Sequence, residues 1–116
     1  MHRRAFLASS AMLPFSMNAA ARLPIKKAVL ISMLPRNLSM KDRFQLGKDC
    51  GFEEIECQTV TDPGVATEIR KAAESTGLRI HSVMNMDHWQ YPLSSSDGDV
   101  VAKSVAGMET SLRNAQ

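Results

Sequence analysis

The clearest pattern along the chain is a helix that ends at a glycine and runs directly into a short strand. After Gly51, Ile55 and Cys57 alternate with two glutamates, at the two-residue period that is typical of a strand. A glycine suits the left-handed conformation that commonly ends a helix. The same arrangement returns at Gly77, about 26 residues later. Two such junctions at one spacing predict a parallel α/β unit.

The other apolar positions predict one more strand and three helices. The apolar run over residues 26–34 is typical of a strand that is buried on both faces. Ser39 and the Asp62–Pro63 pair are typical helix starts, and a last helix is predicted from about Asp99. The predicted buried stripes are Met40, Phe44 and Gly47 in the first helix, Val65, Ile69, Ala72, Ala73 and Thr76 in the second, and Val101, Val105, Met108, Leu112 and Ala115 in the third.

The predicted order is therefore β-α-β-α-β-α, with strands ending near residues 34, 57 and 84. Short connections in this order imply parallel strands with helices packed outside them. Three such strands leave two open sheet edges and an uncovered inner face. We therefore expect a fragment, which needs either more strands or a partner.

Composition excludes several classes of protein. The chain has 116 residues, of which 44% are hydrophobic, and a formal net charge of +2, so it has room for one small domain. Its basic residues are scattered, which disfavours nucleic-acid binding, and no apolar run reaches the ~18 to 20 residues of a membrane span. Cys50 and Cys57 are too few for a disulfide framework, and we interpret both as buried thiols.

The first 21 residues have the features of an export signal. A basic start precedes an apolar segment over residues 5–17, and small residues follow at a typical cleavage site. The start resembles the R-R-x-F-L core of bacterial twin-arginine signals, which predicts a periplasmic or secreted protein with a mature domain over residues 22–116. An ordinary Sec signal and an untargeted tail remain alternatives. The residues of the signal motif are Arg3, Arg4, Phe6 and Leu7, and those of the cleavage site are Ala19 and Ala21.

Three segments carry a resemblance to a known family. Residues 51–56 (G-F-E-E-I-E), the helix-to-strand junction at 73–80 and the loop at 92–97 resemble the xylose isomerase-like superfamily of sugar isomerases and epimerases, and the hydroxypyruvate isomerase-like branch in particular. The resemblance implies that the chain is the first three units of a (β/α)8 TIM barrel. Glu54 stands where the family usually has glycine.

The resemblance also implies a chemistry. The family moves a proton next to a carbonyl of a sugar or keto acid and uses a divalent metal, Mg, Mn or Zn, held by Glu, Asp and His from the second half of the barrel. None of those strands falls within these residues, so we assign no catalytic residue and no metal ligand here. We expect the isolated chain to be inactive.

Four residues are candidates for contact with substrate. Glu56 is expected at the mouth of the second strand, where it could bind a hydroxyl or pair with a neighbouring cation. His81 is expected on the inward phase of the third strand, together with Arg79 and Val83, although a core histidine is an equal alternative. His88 and Trp89 follow in a loop, where the aromatic face could stack on a sugar or anchor the loop.

Two other functions remain open at this point. The chain could be a non-catalytic truncated or split-gene product that pairs with a partner half-barrel, or that self-associates through its open sheet edges. It could also be a nuclease for abasic sites like endonuclease IV, which the near-neutral charge and the export signal disfavour. No phosphate-binding glycine loop, G-x-S-x-G elbow or H-E-x-x-H motif is present, which disfavours hydrolases and nucleotide-binding proteins.

Overall fold

A computed structural model describes residues 23–116 and confirms the predicted α/β class. Three parallel strands form one open sheet in the order β1-β2-β3, and a helix follows each strand along the chain. The strands are β1 (Ala28–Leu30), β2 (Glu54–Gln58) and β3 (Arg79–Met84), and the helices are α1 (Met40–Asp49), α2 (Pro63–Thr76) and α3 (Gly98–Asn114).

The helix ends lie where the sequence predicts them. The Ser39 hydroxyl accepts a hydrogen bond from the backbone N–H of Asp42 at 3.2 Å and so caps α1. The Asp62 carboxylate caps α2 in the same way. Gly51 and Gly77 have φ angles of +83° and +71°, the left-handed conformation that a residue with a Cβ adopts only at a cost. These two glycines let each helix turn at once into the next strand.

The core lies between the sheet and the helices. Phe44 of α1 and Ile55 of β2 are fully buried at its centre. Gly47 brings α1 close to the start of β3, because a Cβ on this residue would lie only 3.2 Å from the Leu78 side chain. The other buried apolar residues are Val29, Ile31, Leu34, Cys57, Ile69, Ala72 and Leu78.

The first strand is much shorter than the apolar run predicted. After Leu30 the chain leaves the sheet and forms a 3-10 turn over Ile31–Met33. The carbonyl of Ile31 accepts hydrogen bonds from the N–H of Leu34 at 3.2 Å and from the Arg43 guanidinium at 2.6 Å, so it cannot take part in a strand ladder. Ile31 and Leu34 are buried, whereas Met33 is exposed. The run is therefore half strand and half turn.

The stripe predicted to be buried in α3 is instead mostly exposed. The buried face of α3 consists of Ser104, Gly107 and Ser111. This face lies against the ends of the strands and the turn that follows β3. The backbone comes close there, so only small side chains fit. The apolar stripe lies about a quarter-turn around the helix, and its members Val105, Met108 and Leu112 are exposed.

The two cysteines also differ from the prediction that both are buried. Cys57 is buried in β2, whereas Cys50 is exposed at the end of α1. Both are free thiols. Cys50 is exposed because the end of α1 projects beyond the core, where the chain reverses through Gly51. Among residues 23–116, no helix has the length and apolar character to cross a membrane.

Candidate functional site

A pocket with polar side chains along one wall, which we call the polar pocket, lies where the chain leaves β2 and β3. It has a volume of about 390 Å³ and is bounded by the segment after β2, the first turn of α2 and the turn after β3. In parallel α/β sheets, ligands bind at this end, beyond the carboxyl ends of the strands. Thr59, Thr61, Asp62 and Asp87 form its polar wall, and Val60, Val65 and Met86 form its apolar wall.

Local hydrogen bonds hold this wall in place. The Thr59 hydroxyl donates to the carbonyl of Met84 at 2.9 Å and lies 2.5 Å from the Ser111 hydroxyl, which ties the end of β2 to both β3 and α3. The N–H of Asp87 donates to the Asn85 side chain at 3.0 Å. The two pocket carboxylates are thus carried on capped, hydrogen-bonded turns.

Glu56 lies on the open face of the sheet, opposite the helices. Its carboxylate accepts a hydrogen bond from the Ser82 hydroxyl of β3 at 2.9 Å. Glu56 is half-buried and does not line the polar pocket. The sequence correctly places it on the opposite face from Ile55 and Cys57. Its role in substrate binding stays a prediction.

Two basic side chains accommodate Glu54 in the sheet. Its carboxylate accepts from Arg79 at 2.5 Å and lies 3.6 Å from the Lys26 ammonium. The Glu54 side chain is only 12% exposed, compared with 64% for Arg79. The carboxylate is therefore held on the open face by two partners rather than crowding the apolar side.

His81 occupies an irregular position in β3. Ile80 pairs with Ile55, but the next pair is Ser82 with Glu56, so His81 is one extra residue in the ladder. The predicted alternation, which put Arg79, His81 and Val83 on one inward face, is therefore wrong. Arg79 shares the open face with Glu54, whereas Val83 pairs with Cys57 on the helix side. A bulge of this kind reverses the alternation beyond it.

His88 and Trp89 lie on the turn after β3. Nδ1 of His88 contacts the carbonyl oxygen of Asn85, and its ring centroid is 4.8 Å from that of Trp89. Trp89 is 85% exposed, so its aromatic face is accessible to a ligand. Neither residue lines the polar pocket. The structure thus does not bring the four predicted contact residues into one cluster.

The described part of the chain does not offer a metal centre. Within residues 23–116, no group of three or more His, Cys, Asp or Glu side chains is placed to hold an ion. The resemblance implies that the ligands of the divalent metal lie in strands outside these residues. The predicted signal and cleavage residues, Arg3, Arg4, Phe6, Leu7, Ala19 and Ala21, lie outside the residues that the structure describes.

The acidity of the Cys57 thiol is strongly changed by its surroundings. Burial raises the pKa of the Cys57 thiol to about 11, partly offset by the positive charge of Arg43, and Glu56 raises it further. A nucleophilic thiol needs a lowered pKa. Cys57 is therefore a structural residue of the core.

No protein-family model matches this chain, and a search of curated proteins finds no significant match. The resemblance to the xylose isomerase-like superfamily therefore rests on the sequence segments 51–56, 73–80 and 92–97.

Three polar residues of the pocket, Thr59, Thr61 and Asp87, were not predicted from the sequence, because none of them belongs to a motif. Asp62 was recognised as a helix cap, which it is, but the same residue also lines the pocket. The available signal was their position, since all three follow the end of a predicted parallel strand.

Proposed function

We propose that this chain forms the first three βα units of an exported, metal-dependent isomerase or epimerase of sugars or hydroxy-keto acids. The observation that carries the proposal is the polar pocket at the carboxyl ends of β2 and β3. A polyhydroxylated substrate requires hydrogen-bond acceptors and donors at fixed positions. Carboxylates and threonine hydroxyls supply both.

The role proposed for this pocket is to bind and orient the substrate. Asp62 and Asp87 would accept hydrogen bonds from substrate hydroxyls, while Met86 would cover the apolar face of the carbon chain. Moving a proton between neighbouring carbons also requires a base and a group that polarises the carbonyl. The metal ligands would come from outside the described residues, so we derive no step through the metal.

A titration followed by ¹⁵N–¹H NMR tests the binding role. Hydroxypyruvate and D-fructose are each added to the chain, with resonance shifts expected at residues 59–62 and 86–87. Asp87→Asn should weaken binding about tenfold, which corresponds to the ~1.4 kcal/mol expected from one charged hydrogen bond. Asp99→Asn, a carboxylate change on α3 that is outside the pocket, is the matched control.

Shifts that are absent, or that lie away from the pocket, would contradict the proposal. A second assay adds Mg²⁺ or Mn²⁺ to the chain and measures interconversion of a ketose pair. No turnover is expected, because the described donor set does not form a metal centre. Turnover above background would show that the chain is itself a complete enzyme.

A second candidate is a non-catalytic chain that works only with a partner half. It is favoured by the edges of the sheet, since β1 and β3 each pair only with β2 among the described strands. This candidate would be favoured over the first if the chain bound neither hydroxypyruvate nor D-fructose and a partner polypeptide ordered it.

A further inference from the structure

The turn after β3 carries a pair of aromatic side chains that the polar pocket does not use. His88 ends the 3-10 turn over Met86–His88, and Trp89 follows it directly. Neither residue lines the polar pocket. Trp89 is the only tryptophan of the 116 residues. We name His88 and Trp89 the aromatic platform.

Contacts on both sides of the aromatic platform hold this turn against α3. Before the platform, the Asp87 side chain lies against the backbone of Gly107. After it, the ammonium group of Lys103 lies 5.1 Å from the centre of the Tyr91 ring. The backbone N–H groups of Gln90 and Tyr91 both donate to the carbonyl of Asp87, at 3.1 and 2.7 Å. The platform is therefore fixed in position by its neighbours.

The contact of His88 with the backbone defines which ring nitrogen can bind a ligand. Nδ1 of His88 contacts the carbonyl oxygen of Asn85. A carbonyl only accepts hydrogen bonds, so Nδ1 carries the proton of the neutral imidazole and Nε2 carries the lone pair. Within residues 23–116, Nε2 of His88 makes no hydrogen bond. It can accept a hydrogen bond from a ligand hydroxyl.

The indole ring of Trp89 supplies an apolar face beside this acceptor. Trp89 is 85% exposed. The imidazole ring of His88 packs against it, with the ring centroids 4.8 Å apart and the ring planes inclined by 43°. An aromatic face packs against C–H groups, while a lone pair on nitrogen accepts from O–H groups. A sugar ring presents both, since its C–H faces are bordered by hydroxyls.

The charge around the aromatic platform favours a neutral ligand. Residues 85–97 contain two carboxylates, Asp87 and Asp97, and no lysine or arginine. Lys103 approaches from α3, but its ammonium group lies over the Tyr91 ring. Phosphates and carboxylates are typically bound by such cations. The platform therefore fits a neutral sugar better than a nucleotide or a sugar phosphate.

The polar atom on the platform also disfavours a purely apolar occupant. An apolar polypeptide segment packed on Trp89 would cover Nε2 of His88 without giving it a donor. A buried acceptor that lacks a hydrogen bond costs free energy. A ligand with hydroxyl groups avoids this cost.

We propose that the aromatic platform is a binding site for the closed ring of a neutral sugar. One face of the ring stacks on Trp89, and one ring hydroxyl donates to Nε2 of His88. This contact needs no carbonyl group and no proton transfer. The proposal is therefore independent of the isomerase function proposed above.

A titration followed by ¹⁵N–¹H NMR tests the proposal through the single indole N–H resonance of Trp89. The probes are methyl β-D-glucopyranoside, whose ring cannot open, and D-sorbitol, which has hydroxyls but no ring. The glucoside should shift the indole resonance and bind at least about fivefold more tightly than D-sorbitol. Because the glucoside cannot isomerise, its binding does not depend on the outcome of the isomerase tests.

Three variants separate the platform from the rest of the turn. Trp89→Ala should weaken glucoside binding at least about fivefold, followed at the backbone N–H of Gln90. His88→Ala should weaken it about threefold. Leu93→Ala removes another exposed apolar side chain of the same loop and should leave the affinity within about twofold, as the matched control. Circular dichroism checks that each variant folds.

Three results would overturn the proposal. The first is equal binding of D-sorbitol and the glucoside, because the ring face would then contribute nothing. The second is an equal effect of Trp89→Ala and Leu93→Ala. The third is an indole resonance that moves with protein concentration alone, because Trp89 would then pack against a second copy of the chain.

Discussion

The side chain of Asp87 lies directly against the backbone of Gly107. A Cβ on residue 107 would overlap the Asp87 carboxylate and lie 3.1 Å from both Asp87 Cβ and Asn85 Oδ1. This contact holds α3 against the turn after β3. It also supports a wall of the polar pocket, because Asp87 belongs to that wall.

Gly107→Ala should therefore destabilise the fold. An extra methyl in a tight contact typically costs about 1–3 kcal/mol, and the better helix propensity of alanine returns only about 1 kcal/mol. We expect a net loss of about 1 kcal/mol in the free energy of unfolding, measured in urea, together with weaker ligand binding at Asp87.

Gly98→Ala is the matched control for this prediction. A Cβ at residue 98 meets nothing within 4 Å, so the same substitution should be neutral or stabilise by up to about 1 kcal/mol. If both variants behave alike, the contact between Asp87 and α3 does not restrain the helix.

Arg79→Met should destabilise the protein by removing the main partner of Glu54. Glu54 is nearly buried, so loss of the guanidinium leaves a carboxylate with reduced compensation. Arg79 itself is exposed and Lys26 remains nearby. We therefore expect the free energy of unfolding, measured in urea, to fall by only about 1–2 kcal/mol.

Arg113→Met supplies the comparison, since its pair with Glu109 is exposed on both sides. Arg113→Met should lower the free energy of unfolding by less than about 0.5 kcal/mol. If Arg79→Met also lowers the free energy of unfolding by less than about 0.5 kcal/mol, solvent rather than Arg79 compensates the charge of Glu54.

Cys57 should make the free energy of unfolding fall at high pH. Its folded pKa of about 11 lies above the ordinary thiol value of 9.0, so between these values the unfolded thiol ionises while the folded thiol stays protonated. The contribution is fully present below pH 9 and is lost as pH rises towards 11, by about 1.4 kcal/mol per pH unit. Urea unfolding from pH 8 to 11 measures this slope.

Cys57→Ala should lose stability less steeply over the same range, because the buried thiol is gone. Thiol labelling provides an independent check, in which exposed Cys50 reacts first and Cys57 reacts only on unfolding. Equal slopes for the two proteins would contradict a raised pKa at Cys57.

Arg3→Lys, Arg4→Lys should block export if the N-terminus is a twin-arginine signal. The guanidinium and ammonium groups are not interchangeable in specific recognition. Fusion of the chain to a reporter and fractionation of bacterial cells measures the exported share, which should fall at least tenfold. Arg36→Lys is the control outside the signal. Continued export of the double lysine variant would favour the Sec pathway instead.

Much of the fold could be predicted because its signals are local. Ser39 and Asp62 cap helices through their own side chains, and Gly51 and Gly77 are placed by backbone conformation, so neighbouring residues suffice to recognise them. The early end of β1 could not be predicted in this way. It depends on a hydrogen bond from Arg43, twelve residues away, to the carbonyl of Ile31.

The candidate site was less predictable for a related reason. Glu56 was assigned to the correct face because β2 alternates regularly, whereas His81 was misassigned because an irregular register is a property of two paired strands. The exposed stripe of α3 could not be distinguished from a buried one by its period. The close approach of Asp87 to Gly107 and the contact between Thr59 and Ser111 show which face of the helix is occupied.

The extra residue at His81 gives β3 two halves of opposite parity. Odd-numbered positions face the open side before the bulge, as Arg79 does, and the helix side after it, as Val83 does. Deleting one residue there would join the halves into a regular strand and exchange the faces of every residue on one side of the deletion. The irregular register thus allows one strand to place a cation beside Glu54 and a hydroxyl beside Glu56, with two apolar side chains still directed at the core.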